Sequence, residues 1–219
     1  MPGREPVAYR IHASDEKGFS VGDRPYEVTV GVSGEMPPEF PANFLGETTA
    51  AELEVVGPRA EFPGANRAFY RVVAVDAMGK QGGPSDYAAS PRPVIFSKPV
   101  TGARRGVGYR YQVAAIRSLG DLRMRIITGK ETMGFWDIER PRFEIQRGPA
   151  WLAIDGATGL LSGTPDRSGT AEVVVAVTLE RDLRRLDEEA LKWGNEKVIS
   201  SGKETAGRAA QGFVIVIDP

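Results

Sequence analysis

The chain has 219 residues, room for one large domain or two of about 100 residues each. Hydrophobic residues make up 41% and charged residues 26%, the balance of a globular protein, and a formal net charge of -1 argues against one built mainly to hold nucleic acid. With Cys 0 and His 1, disulfides, thiolate metal sites, cysteine nucleophiles and multi-histidine metal sites are excluded, and no run of roughly 18 apolar residues is present to span a membrane.

Short stretches of alternating apolar and polar residues recur, each closed by Gly, Pro, Asn or Asp, which is the pattern of an all-β sandwich. The predicted strands of the first half are 7–13, 27–32, 51–56, 68–76, 86–91 and 94–96. Those of the second half are 109–118, 122–127, 142–146, 152–154, 171–179 and 212–217. On the first strand Val7, Tyr9 and Ile11 share a face. His12 points the other way, as a surface or edge residue. Turn signals separate the runs, among them Asp15 to Gly18, Met36-Pro37-Pro38, Pro63 to Asn66, Met78 to Pro84, Gly148-Pro149 and Ser168-Gly169.

Residues 182–193 follow a helical period instead. Leu183, Leu186, Ala190 and Leu191 form one apolar stripe, with Asp182 placed to cap the start and Gly194 to end it. Asp187, Glu188 and Glu189 read as a solvated face paired with Arg181, Arg184 and Arg185, because adjacent helical residues do not face each other as a catalytic carboxylate pair must. The spacing predicts a helical insertion between the last two strands. Pro91, Pro93 and Pro99 mark an extended connector, which divides the chain into domains 1–95 and 96–219.

The run from Ala68 through Tyr70, Val72, Ala74, Val75 and Asp76 to Gly79, followed by Gly83-Pro84-Ser85, resembles the late strands of a fibronectin type III domain over residues 5–95. The resemblance implies that Tyr70 makes a tyrosine corner. It also implies that the family's first two strands have no counterpart before Val7, so that the chain is a fragment or the sandwich is completed by something else.

Val107 to Ala115, and then Gly148-Pro149-Ala150-Trp151-Leu152-Ala153-Ile154-Asp155, Thr158-Gly159 and Ser162-Gly163-Thr164-Pro165, resemble a putative-Ig, dystroglycan-type cadherin-like domain. Together the likenesses imply two tandem Ig-like β-sandwiches, the second enlarged by insertions near 128–140 and 181–210. Structural roles fall to Tyr70, Trp151, Leu152, Ile154, Asp155, Gly159, Gly163 and Pro165, with Trp151 a core residue.

Candidate binding residues lie in the insertions. Trp136 and Trp193 are placed to stack on sugar rings, with Asp137, Glu139 and Asn195 to bond hydroxyls. Alternatively Phe135, Trp136 and Trp193 form a satellite apolar cluster that pins the insertions down. Cadherin relatives bind calcium through clustered carboxylates. Here Asp121 and Asp166 are the nearest counterparts, with Asp155 and Asp182 also in loops, and single solvated turn aspartates are the simpler reading. No other cofactor is implied.

The resemblances imply a non-catalytic structural, adhesion or accessory module of a larger secreted or surface bacterial protein, located outside the cell or in the periplasm. Its partners would be other domains of the same protein, glycans or cell-surface proteins. The alternatives are a carbohydrate-binding module using Trp136 and Trp193, and the accessory tail of an enzyme whose active site lies upstream.

Overall fold

Residues 5–27, 39–127, 130–193 and 197–219 are described by the computed structural model. Their alternating pattern becomes strands almost throughout. In chain order these are β1 (Pro6–Ser14), β2 (Tyr26–Glu27), β3 (Glu39–Phe40), β4 (Phe44–Thr48), β5 (Phe69–Asp76), β6 (Gln81–Pro84), β7 (Ala88–Ala89) and β8 (Gly102–Arg104). They continue as β9 (Tyr109–Gln112), β10 (Asp121–Ile127), β11 (Lys130–Trp136), β12 (Glu139–Arg147), β13 (Leu152–Ile154), β14 (Leu160–Gly163), β15 (Gly169–Leu186) and β16 (Val198–Asp218). One helical segment, α1 (Glu188–Lys192), is present among the described residues.

The chain divides into two compact units. The first comprises Met1–Ser90, Ser118–Ile138 and Asp182–Lys203, the second Pro91–Arg117, Glu139–Arg181 and Glu204–Pro219. The division falls within the proline connector. The stretches read from sequence as insertions into the second half go largely with the first unit, and β15 and β16 contribute to both.

In the first unit a sheet runs in the order β4-β1-β5-β6, with β7 also pairing β5. Antiparallel β1 and β5 match Tyr9 to Ala74, Ile11 to Val72 and Ala13 to Tyr70. Ile11, Ala13 and Tyr70 centre a core that Tyr9, Leu53, Val55, Val56, Phe62 and Val72 join. Residues 51–56, predicted as a strand, form none; the Glu61 and Asn66 amides bond to Glu54 O and Val55 O, and the apolar members pack on the sheet face. The hairpin of β10 and β11 opposes Asp121 with Trp136. Strand 27–32 beyond Glu27 and the Met36-Pro37-Pro38 turn lie outside the described residues.

The second unit has a sheet in the order β12-β15-β16-β8 and a three-stranded sheet in the order β13-β14-β9. Tyr109, Tyr111, Val113, Phe143, Leu152, Leu161, Val173, Val175, Val177, Ile215 and Ile217 form its core. Both sheets contribute alternate residues to that cluster, as a buried sheet face requires. The stretch 94–96 makes a single bridge, Ile95 with Ala115, instead of a strand.

The predicted helix over 182–193 shrinks to α1, because the residues up to Leu186 continue β15, whose ladder neighbour β16 runs from Val198 to Asp218. A ladder gives backbone amides and carbonyls partners along its whole length, so the leucine spacing yields to the strand. Glu139 is 1% exposed. Arg92 Nε donates to both of its oxygens, at 3.2 and 2.9 Å, and an Arg181 terminal nitrogen donates to Oε1 at 3.1 Å. Arg181 also pairs with Glu204 at 3.3 Å. Arg181 therefore serves this buried cluster and not the Asp187–Glu189 run, and Glu139 is withdrawn from any sugar.

Candidate functional site

In the second unit the run after β12 builds one end of the sandwich. Gly148 and Pro149 break the ladder, and the Leu152 amide donates to Pro149 O at 3.1 Å, so the chain turns into β13. Asp155 Oδ1 accepts the amides of Ala157 and Thr158 at 2.9 and 2.8 Å, and those bonds hold its carboxyl below the usual carboxylate range. Gly159 follows at φ 76°, where a Cβ would stand 2.8 Å from Val113 O and 3.0 Å from the Phe143 ring. A Cβ on Gly163 would stand 2.0 Å from Trp151 O. The hairpin thus needs glycine at both positions.

Trp151 lies one residue before β13, partly buried, and meets Tyr109 edge-on at 6.0 Å between centroids. The Tyr109 hydroxyl donates to Val100 O at 2.7 Å, and burial pushes its pKa up to about 12. Pro165, itself buried, ends the strand, and β15 begins after the bend at 166–168.

Between these two loops lies a recess of about 460 Å³ whose walls include Arg147, Trp151, Arg167, Ser168, Thr170 and Glu172. Arg147 pairs with Glu172 at 3.1 Å and Arg167 with Asp166 at 3.5 Å. All four of these side chains are well exposed. The recess therefore offers one aromatic ring, two hydroxyls and two ion pairs whose charges cancel.

The first unit carries a second, more apolar groove of about 440 Å³, walled by Tyr9, Ile11, Leu53, Val55, Tyr70 and Val72 among others. At its edge the Tyr70 hydroxyl donates to Val55 O at 3.1 Å and accepts the Arg67 amide at 3.0 Å, ties of the kind a tyrosine corner makes. Desolvation raises the Tyr70 pKa.

His12 corrects the sequence expectation of a surface residue: it is 2% exposed. The register of β1 against β4 shifts between Ile11 and His12, and the imidazole packs 5.4 Å from the Phe44 ring. Its Nδ1 lies 3.0 Å from Asn43 Oδ1, which also accepts the Gly22 amide, while Asn43 Nδ2 donates to Ser20 O. With Oδ1 as an acceptor, Nδ1 carries the hydrogen. Desolvation lowers the His12 pKa. Glu16 is also buried, accepts a bond from Ser14 Oγ, and has its pKa raised by desolvation.

The residues named from sequence scatter across this scaffold. Trp136 closes β11 opposite Asp121, and Asp137 follows it, exposed and at φ 57°. Trp193 follows α1 and is 76% exposed. Asn195, like Gly194, lies outside the described residues. Asp121 belongs to the first unit and Asp166 to the second. Among the described residues no group of three or more His, Asp or Glu side chains is arranged to hold a metal ion.

Sequence reasoning missed the recess: Trp151, read as core, packs partly buried against the core cluster and also lines the recess. It also missed the Asn43 and Glu139 clusters, whose partners are far apart in the chain. No family model and no curated protein matches the sequence.

Proposed function

We propose that the chain is a non-catalytic module: a fibronectin type III-like sandwich followed by a putative-Ig, cadherin-like sandwich. It serves as an adhesion, structural or accessory unit of a larger secreted or surface bacterial protein. What supports this reading is the use made of the buried ionisable side chains. His12 is bonded to Asn43, Glu16 to Ser14, and Glu139 to Arg92 and Arg181, so each is spent on holding loops and strands together. A general acid or base has to stand within reach of a substrate proton.

The test is to excise these residues from the parent protein, then measure surface attachment and turnover of a small soluble substrate side by side. The reading expects attachment to fall and kcat to hold. Loss of kcat with attachment intact would overturn it.

A second reading, carbohydrate binding at the α1 end of β15, rests on the 76% exposure of Trp193. An indole left in water there is free to stack on a sugar ring. A glycan array probed with the chain and with Trp193→Ala tests it: spots bound by the first and lost by the second support it, and identical patterns refute it.

A further inference from the structure

We infer that the recess between the loops 147–151 and 166–172 is a binding site for a neutral, hydroxyl-rich ligand, a saccharide of one or two rings. The inference rests on the reading of the chain as a non-catalytic adhesion or accessory module and assigns it a ligand class and a place. Three observations carry it.

The first is size. A volume of about 460 Å³ lies within the roughly 300–1,000 Å³ range of small-molecule sites. The second is the wall. Trp151 lines the recess with aromatic surface, and its packing on the core and its edge-on contact with Tyr109 order the ring before a ligand arrives. The Ser168 and Thr170 hydroxyls can each donate and accept.

The third is charge, and it decides the ligand class. Arg147 and Arg167 each stand beside a carboxylate, Glu172 and Asp166. An anionic ligand would have to draw a guanidinium away from its partner and then face that partner's negative charge. A sugar hydroxyl accepts from the guanidinium and donates to the carboxylate at once, leaving the ion pair in place. The apolar groove of the first unit lacks such charged pairs on its walls, apart from the single acid Glu52.

The experiment titrates the whole chain with neutral oligosaccharides (cello-, xylo-, manno- and chito-oligomers) and with uronate oligomers, following heat and tryptophan fluorescence. The expected result is that a neutral series binds and that Arg147→Ala and Arg167→Ala each weaken it about 10-fold, the loss of one charge-assisted hydrogen bond. Trp193→Ala should bind as the parent does. Both arginines are exposed, so matched melting curves will show that the variants fold.

Binding weakened only by Trp193→Ala would overturn the recess and leave the carbohydrate reading at Trp193 standing. Preference for uronates would overturn the neutral ligand. No binding by any series would overturn the inference, while the adhesion and accessory reading would still stand on its own excision test.

Discussion

Glu139 offers the sharpest test of how the second unit is held together. Its side chain is 2% exposed, and its partners Arg92 and Arg181 are 16% and 28% exposed. Arg92 and Arg181 donate to its two oxygens at 2.9 to 3.2 Å. Glu139→Ala removes the carboxylate and leaves two partly buried guanidinium groups behind. Breaking a buried pair from one side costs about 3–5 kcal/mol. Arg181 keeps Glu204, and both arginines retain some water, so the lower end of that range applies. For a unit of roughly 60–100 residues, 1 kcal/mol moves Tm by about 4–8 °C, which predicts a fall of at least about 12 °C. Glu139→Gln keeps an acceptor of the same shape and should fall between the two. The assay is calorimetric melting of the full chain with both variants. A Glu139→Ala transition within a degree or two of the parent would show that the buried pair contributes nothing to stability.

Three further outcomes are expected. Gly163→Ala places a methyl 2.0 Å from Trp151 O, a backbone atom that cannot swing aside, and should cost about 1–3 kcal/mol in urea unfolding. Tyr70→Phe loses the bonds to Val55 O and from the Arg67 amide and should cost about 1–2 kcal/mol, read as a lower urea midpoint at unchanged slope. His12, whose pKa is lowered from 6.5 by burial, is neutral in the fold and binds a proton more readily when unfolded. Its contribution is complete above pH 6.5 and is lost as pH falls from there toward the folded pKa. Glu16, raised above 4.5, acts in the opposite sense, so the His12 share is the difference between the parent and His12→Gln in the pH dependence of the urea midpoint. Parallel curves would remove it.

Local chemistry was readable in the sequence and distant pairing was not. The run from Trp151 to Pro165 announced its own hairpin. An aspartate that caps a turn and a glycine at positive φ fix the backbone within a few residues, and β13 emerges at the predicted 152–154. Alternation on β1 and β5 was equally plain, since one face of that sheet carries Ile11 and Tyr70. The error at 182–193 arose because leucines three residues apart suit a helix, while the ladder that extends β15 to Leu186 depends on a partner strand that starts at Val198. His12 was misplaced for the same reason: Asn43, which buries its polar edge, is 31 residues away. The recess needs Trp151 and Thr170 together, and no periodicity links a connector before one strand to the start of another.

The parallel pairing of β8 with β16 has a mechanical meaning. Val216 faces Gly102 and Asp218 faces Arg104, and the flanking bonds run from the Val216 amide to Thr101 O and from the Arg105 amide to Asp218 O, at 2.8 and 2.9 Å. A tensile load applied between residue 99 and residue 219 pulls these strands along their length in opposite directions. The hydrogen bonds bridging them then resist in shear, several at once, where an antiparallel end-hairpin would unzip one by one. Under that load the patch yields only when these bonds fail together.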